Sequence, residues 1–171
     1  TVVTGWKIFL KNSSEVTIDS QLTNSYGEYR FDNLETGTYI VAEEQDTAWI
    51  QTFPRGIGTY TISLLDSIVY SAGNDFGNTI GYRYVGPIPG NWSDSTKWTG
   101  GHPPGPTNAA IIPTGATVTV DSLPNDTIQA LRITGGGTLI FGSNIGSLKV
   151  SHSVQIDPDA VLTLPIGSDT T

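Results

Sequence analysis

The sequence predicts an all-β protein, and three observations lead to this prediction. Apolar and polar residues alternate with a period of two in many short stretches, whereas helical periodicity is almost absent. Twenty glycines and ten prolines separate these stretches and leave little room for helices. Charged residues make up only 14% of the chain, so Thr, Ser, Asn and Gly supply the polar surface, a composition typical of extracellular β-structure.

Residues 1–80 are predicted to form one antiparallel β-sandwich. Alternation occurs in VTGWKIFL, EVTIDSQLT, GEYRFDNL, GTYIVAEE, GTYTISLL and SIVYSAG. The most regular stretch is residues 27–44, where Tyr29 and Phe31 alternate with charged residues. The turn-forming residues DNLETG follow. We therefore expect a hairpin of two strands in this stretch.

Residues 81–90 are predicted to be a linker, and residues 91–171 a second, small β-rich domain. Dense Gly and Pro in GYRYVGPIPGNW mark the boundary. Short strands from AAIIP to AVLTLP then recur at intervals of roughly seven to twelve residues. This spacing suits either the rungs of a β-solenoid or a second sandwich.

Composition excludes several classes of protein. The net charge of −8 argues against nucleic-acid binding, because phosphate contacts need clustered Lys and Arg. No membrane insertion is expected, since no apolar run approaches the roughly 20 residues that span a bilayer. The chain has no Cys, which removes disulfides and thiolate metal sites. It begins with Thr, which indicates a processed product or an excerpt of a longer protein.

Five motifs, GWKIFL, GEYRFDNLETGTYIVAEE, WIQTFP, GTYTISL and GNDFGN, occur in this order within residues 4–79. Together they resemble the B-type repeat of bacterial collagen adhesins and serine-aspartate-repeat proteins. The resemblance implies a prealbumin-like β-sandwich that acts as a stalk on the cell surface. In the second half, NWSDSTKWTGGHPPGPTNAAIIPTGATVTVD is similar to a Trp-containing segment that precedes β-solenoid rungs in large secreted bacterial proteins.

The first resemblance also implies candidates for an intramolecular isopeptide bond. Many B-type repeats join a lysine to Asn or Asp, with catalysis by a buried acid. The resemblance places Glu43 at the acid position and Asn74, Asp75 or Asn78 at one end of the bond. The candidate lysine is Lys7, which lies on a different strand from the bonding lysine of the family, so we do not expect the bond to form.

Calcium and glycan attachment are two further modifications with candidate residues. Some relatives bind calcium through Asp-rich loops, and the weak candidates here are Asp32, Asp157 and Asp159. Turn chemistry accounts for these residues without a metal, so no cofactor is expected. N-x-S/T patterns, which are glycosylation acceptors in a cell that glycosylates, begin at Asn12, Asn91 and Asn125.

Trp92 and Trp98 are the best candidates for a ligand site, because exposed aromatic rings stack on sugar rings. The alternative is that both rings close the open end of the second domain's core. The two histidines, His102 and His152, lack the spacing and neighbours of a zinc site or a catalytic triad. We therefore expect no enzymatic activity.

These observations predict an extracellular or cell-surface structural protein, a stalk or fibre-forming module. The expected partners are further copies added by β-strand pairing, other cell-surface proteins, or glycans. One alternative is a carbohydrate-binding adhesin module that uses the two tryptophans. Another is an accessory domain of a large secreted enzyme.

Overall fold

A computed structural model describes residues 2–66, 70–86, 89–123 and 126–164. Within them the protein is all-β, as predicted, with one short 3-10 helix at Ser95–Lys97. The strands are β1 (Lys7–Asn12), β2 (Thr17–Leu22), β3 (Gly37–Glu43), β4 (Trp49–Phe53), β5 (Thr59–Leu64), β6 (Gly77–Arg83), β7 (Gly90–Asn91), β8 (Ala109–Ile112), β9 (Thr117–Val120), β10 (Thr127–Ile133), β11 (Thr138–Phe141), β12 (Lys149–Ile156) and β13 (Val161–Thr163).

The chain folds into two compact units. Unit 1 comprises residues 1–46 and 53–77, and unit 2 comprises residues 47–52 and 78–171. Residues 47–52, which we expected in the first domain, therefore belong to the second unit. The physical reason is Ile50, which is buried among apolar side chains of unit 2.

Unit 1 is built on an antiparallel sheet, sheet 1, with the strand order β2-β1-β3-β5. Alternation along β1 and β3 sends Ile8, Leu10 and Val41 to one face, where they are buried. The residues that pack over this face from outside the strands are Trp6, Tyr29, Phe31, Leu34 and Phe76. This inner face is the core of unit 1.

The predicted hairpin at residues 27–44 contains one strand, β3, where we expected two. β3 pairs with β1 on one side and with β5 on the other, so it has no free edge for residues 28–31. That segment packs on the inner face of sheet 1, where the rings of Tyr29 and Phe31 meet edge to face with centroids 6.0 Å apart. The alternation of apolar and charged residues in this segment therefore reflects the burial of every second side chain, although the segment pairs with no strand.

Unit 2 is a β-solenoid, one of the two architectures that the strand spacing allowed. Its chain alternates between sheet 2, with the order β12-β10-β8-β6-β4, and sheet 3, with the order β13-β11-β9-β7. In sheet 2, β6, β8, β10 and β12 pair in parallel, and all neighbours in sheet 3 are parallel as well. Each turn of the solenoid, or rung, contributes one strand to each sheet.

The pairing register gives the length of each rung. In sheet 2 the in-register residues Gly81, Ala109, Ala130 and Ser153 are separated by 28, 21 and 23 residues. The same lengths separate their counterparts in sheet 3, which are Gly90, Val118, Leu139 and Leu162. Every sheet 2 residue in this set precedes its sheet 3 counterpart by nine residues. The unequal rung lengths therefore arise only on the return from sheet 3 to sheet 2.

The corner from sheet 2 to sheet 3 has a constant structure in the last three rungs. Its sequences are PTGA (113–116), TGGG (134–137) and DPDA (157–160), and in each the fourth N–H donates to the first carbonyl over 2.8–3.1 Å. The third residue has a positive φ each time, at Gly115, Gly136 and Asp159. A positive φ at this position is the requirement of a type II turn, which explains the glycines.

The solenoid interior is apolar and closely packed. Residues of both sheets meet there, and the fully buried ones include Ile112, Val118, Val120, Ile128, Ile133 and Leu139. Val and Ile suit these positions because their branched side chains pack well on a pleated surface. Burial of such side chains contributes about 1.5–3 kcal/mol each, so this core is the main source of stability in unit 2.

Residues 47–52, which we call the strap, contain most of β4; they are hydrogen-bonded to β6 and also contact the outer side chains of β8 and β10. The carbonyl of Ala48 accepts a hydrogen bond from the N–H of Gly81 in β6 (2.8 Å). At the other end of the strap, the carbonyl of Gln51 accepts one from Ser153 Oγ in β12 (2.9 Å). Between them Ile50 packs on Ala109, Ile111 and Ala130. The strap therefore holds all four rungs of sheet 2 from one side.

The predicted linker, residues 81–90, begins inside β6 and ends in β7. Dense Gly and Pro had predicted a linker here, but Gly81 is needed for packing within the sheet. A Cβ atom at Gly81 would lie 2.3 Å from Cδ1 of Ile111 on the neighbouring strand. The glycine is needed for this close approach, and the first rung of the solenoid starts where we expected a connection.

Candidate functional site

The two predicted ligand-binding tryptophans lie at the start of the solenoid, just after β7. The N–H of Trp92 donates to the carbonyl of Thr119 in β9 (2.7 Å), which continues the ladder of sheet 3. A 3-10 turn follows, begun by Asp94, whose carboxylate accepts hydrogen bonds from the N–H (3.0 Å) and Oγ1 (2.7 Å) of Thr96. Trp98 then pairs with Tyr84 in an isolated antiparallel bridge. This route brings both rings into the interior of the first rung.

Neither tryptophan offers a ring face to a ligand. Trp92 is 0% exposed and Trp98 is 3% exposed. Their rings meet edge to face with centroids 4.8 Å apart, and Trp98 meets Tyr84 in the same way at 5.3 Å. Nε1 of Trp98 donates to the carbonyl of Trp92 (2.8 Å). The sugar-stacking hypothesis for these two residues is therefore wrong, because both rings are part of the core that closes this end of the solenoid.

Hydrogen bonds between polar groups connect the segment that contains the two tryptophans, residues 92–98, to the next rung of the solenoid. Asp121, which follows β9, accepts hydrogen bonds from the N–H (3.0 Å) and Oγ (2.6 Å) of Ser93. Burial raises the pKa of the Tyr84 hydroxyl, and the carboxylates of Asp94 and Asp121 raise it further. The hydroxyl therefore stays protonated and neutral at physiological pH, which suits its buried position.

A shallow groove lies beside this segment, within unit 2. Its volume is about 320 Å³, and it is lined by Thr47, Ala48, Ile80, Gly81, Tyr82, Arg83, Thr99 and Gly100. The Tyr82 ring packs on the backbone of Gly100 and meets the His102 ring edge to face at 5.2 Å. The groove combines an aromatic ring, a guanidinium group and two hydroxyls, a set of groups that suits a polar ligand. Nothing in the sequence marked Tyr82 as distinct from the core tyrosines.

The isopeptide candidates in unit 1 are separated by the faces of sheet 1. Glu43 pairs with Ile8 and shares the inner face with it, buried to 5% exposure. Lys7 precedes Ile8 and points to the opposite face, where its Nζ lies 5.6 Å from the centroid of the Phe9 ring. A bond from Lys7 that Glu43 catalyses is therefore excluded by the pleat of β1.

Asn74 and Asp75 lie near Glu43, around two tyrosines. The hydroxyl of Tyr29 donates to the carbonyl of Asn74 (2.5 Å), and that of Tyr60 donates to the carbonyl of Asp75 (2.5 Å). Burial raises the pKa of both hydroxyls, and the charges of Asp75 and Glu43 add to the increase. These contacts hold residues 74–76 over the core. The remaining candidate, Asn78, lies in β6, in unit 2.

The weak calcium candidates occupy turns. Asp32 pairs with Arg30 over 2.5 Å on the surface, and Asp157 with Arg132 over 3.5 Å. Asp157 and Asp159 form the first and third positions of the last type II corner. Among the described residues no three His, Asp or Glu side chains converge as metal ligands would. Turn geometry explains each carboxylate.

The three N-x-S/T patterns lie in different settings. Oδ1 of Asn12 accepts hydrogen bonds from the N–H groups of Ser14 and Val16 (3.0 Å each), so it orders the turn between β1 and β2. Asn91 is exposed at the end of β7. Asn125 lies outside the described residues.

Residues 97–168 match the G8 domain. The match begins in the 3-10 turn, spans β8 to β13, and covers less than half of the chain. The G8 domain is a β-rich extracellular domain family. No curated protein and no solved structure matches the chain.

The G8 match concerns the solenoid only. It does not reach residues 4–79, so the resemblance of that segment to the B-type adhesin repeat stays a prediction. Within the described ranges the structure contains no helix of the length and apolar character that crossing a bilayer requires. The G8 match and the all-β fold together agree with an extracellular module.

Proposed function

We propose that this protein is a non-enzymatic, extracellular structural module, in which unit 2 serves as a load-bearing spacer. The observation that carries the proposal is the stacking of parallel rungs over a continuous core, with most inner side chains 0–4% exposed. Each rung is held by hydrogen-bonded ladders in two sheets, and the strap joins the rungs of sheet 2 from outside. A solenoid of this kind gains its stability from contacts between neighbouring rungs.

The arrangement of reactive groups supports a role without catalysis. His152 lies on exposed β12, and its Nδ1 is 2.9 Å from Oγ of the adjacent Ser151. Among the described residues, His152 hydrogen-bonds no carboxylate that would orient it as a base. His102 contacts the carbonyl of Pro103 (2.8 Å) in a loop. If the chain is an accessory domain of a larger secreted enzyme, the catalytic residues of that enzyme would lie outside this chain.

Assembly by β-strand addition is part of the proposal. The first strand, β1, lies between β2 and β3, so it offers no free edge to a further copy. The residues before β1 are fixed within unit 1, because Thr23 Oγ1 donates to the carbonyl of Val3 (2.6 Å) and accepts from the N–H of Trp6 (2.9 Å). The outermost strands of sheet 1 are β2 and β5, and all six residues of β2 are exposed.

The load-bearing role is tested by pulling single molecules of the full chain between its ends in an optical trap. Complete unfolding extends the chain to roughly 600 Å, at about 3.5 Å per residue. We expect Leu139→Ala, which removes a fully buried side chain, to lower the unfolding force, and Leu65→Ala, at a 59% exposed position, to leave it unchanged. Equal forces for the wild type and Leu139→Ala would contradict the proposal, as would turnover of an ester or glycoside that His152→Ala abolishes.

Glycan binding is a second candidate function, and we propose the groove beside Tyr82 as its site. An aromatic ring next to Arg83 and Thr99 is the observation that favours it. On a glycan array, Tyr82→Ala is expected to abolish any specific signal, whereas Tyr26→Ala, at a 75% exposed position elsewhere, is expected to retain it. A signal that survives Tyr82→Ala would rule out the groove as the binding surface.

A further inference from the structure

The strap is a segment of unit 2 that the chain supplies from within the sequence of unit 1. The rest of unit 2 is the continuous stretch 78–171, whereas residues 47–52 lie in the connection between β3 and β5, two strands of sheet 1. The chain is exposed on both sides of the buried part of the strap, at residues 44–48 and 55–57. The solenoid thus binds a segment that reaches it through the chain of unit 1.

The solenoid contacts the strap as a protein contacts an extended peptide. The N–H of Gly81 donates to the main-chain carbonyl of Ala48 (2.8 Å). The carbonyl of Gln51 accepts hydrogen bonds from Oγ of Ser153 (2.9 Å) and from Nε2 of Gln155 (3.4 Å). Every residue type carries a main-chain carbonyl, so these hydrogen bonds recognise an extended backbone and place few demands on its sequence.

One side chain of the strap supplies the apolar part of the contact. Ile50 is 0% exposed and lies in one buried cluster with Ala109, Ile111 and Ala130. This cluster is separate from the core between the two sheets of the solenoid. Small residues stand in register across the four rungs beside it, which leaves room for a neighbouring chain, and they are Gly81, Ala109, Ala130 and Ser153. The groups of sheet 2 that contact the strap, which we call the strap site, therefore accept an extended segment with one aliphatic side chain.

The strap of a second copy can make the same contacts. The hydrogen bonds and the Ile50 contact join the strap to the solenoid, and they have the same geometry whichever copy supplies the strap. Exchange of an identical element between copies is a low-cost route to association. The strap of the same chain has the advantage of a high effective concentration, so exchange requires a concentrated protein and a transient opening of unit 2.

We propose that two copies of this chain associate by reciprocal exchange of their straps, each strap binding the strap site of the other copy. This deepens the proposed structural function, on which it rests, by naming the segment that is exchanged and the surface that receives it. Reciprocal exchange fills both sites and closes after two copies. Load bearing is measured on a single tethered molecule, so failure of the exchange and failure of the proposed function are distinguishable.

Disulfide cross-linking tests the exchange in the full chain, which has no natural cysteine. Ile50→Cys and Ala130→Cys are mixed at high concentration in moderate urea, returned to buffer and oxidised. We expect a disulfide-linked heterodimer, identified by mass spectrometry, at several times the yield from a mixture of Ala130→Cys with Ile57→Cys, a position that is 83% exposed. Both substitutions in one chain are expected to form the disulfide at low concentration. Equal yields from the two mixtures would overturn the proposal, as would a doubly substituted chain that stays reduced.

A peptide experiment tests the strap site directly. The probe is the labelled peptide DTAWIQTFP, residues 46–54, and the receptor is the full chain with Ile50→Asp, whose own strap carries a charge against the apolar cluster. By fluorescence anisotropy we expect this peptide to bind the variant at least about tenfold more tightly than it binds the wild-type chain, in which the natural strap competes. The matched control is the same peptide with Ile50→Asp. Equal affinity of the two peptides for the variant would show that the site does not recognise the strap.

Discussion

Replacing Trp98 with alanine is expected to lower the free energy of unfolding by about 3–5 kcal/mol. Trp98 is 3% exposed, packs edge to face on Trp92 and Tyr84, and donates its only side-chain hydrogen bond within the core. Its removal leaves a cavity and an unpaired carbonyl at Trp92 at the closed end of the solenoid. Urea denaturation followed by far-UV circular dichroism measures the effect.

Two variants make the Trp98 result interpretable. Trp98→Phe keeps an aromatic ring but loses the hydrogen bond, so it is expected to lie between the wild type and Trp98→Ala. Tyr26→Ala removes an aromatic ring that is 75% exposed, and it is expected to change stability by less than about 0.5 kcal/mol. A loss below about 1 kcal/mol for Trp98→Ala would mean that the ring does not belong to the core.

The second large effect is expected at Ile50, in the strap. Ile50 is 0% exposed and packs with Ala109, Ile111 and Ala130 of sheet 2 in one buried cluster. Truncation of a fully buried isoleucine to alanine costs about 2–5 kcal/mol. We therefore expect Ile50→Ala to destabilise unit 2 by this amount, as measured by urea denaturation.

The chain provides a matched control for the strap. Ile57 lies in the same connection between β3 and β5 but is 83% exposed. The same substitution there, Ile57→Ala, is expected to leave the midpoint of unfolding unchanged. If both variants behave alike, the strap does not hold sheet 2.

Local patterns in the sequence predict much of this fold. Alternation of apolar residues in TVTV (117–120) predicts a strand, because every second side chain must reach the core. The repeated short strands indicated the solenoid, and the third-position Gly, Gly and Asp of the corners explain why it turns where it does. The corner sequences PTGA, TGGG and DPDA have few identical residues. Their common turn structure becomes evident only when the strand pairing aligns the rungs.

Contacts between segments that are distant in the sequence could not be predicted from local sequence patterns. Residues 47–52 resemble one more strand of the first domain in sequence, and only the packing of Ile50 on Ala109, Ile111 and Ala130 in sheet 2 reveals their partner. The tryptophans allowed two interpretations, since a sequence does not tell whether a ring next to Gly and Pro is buried. For Lys7 and Glu43 the decisive fact is the register of β1 on β3, which places them on opposite faces.

The constant nine-residue half-turn makes unit 2 an asymmetric scaffold for protein engineering. The return connections already differ in length, with 12 residues from Val118 to Ala130 and 14 from Leu139 to Ser153, and the strands that follow them still pair in parallel with the preceding rung. An epitope tag or a grafted recognition peptide placed near the exposed Gly146 therefore enters a flank that tolerates variable length. The opposite flank, with its stacked corners, has no such freedom, because one inserted residue there shifts the sheet 3 strand of that rung out of register with its neighbours.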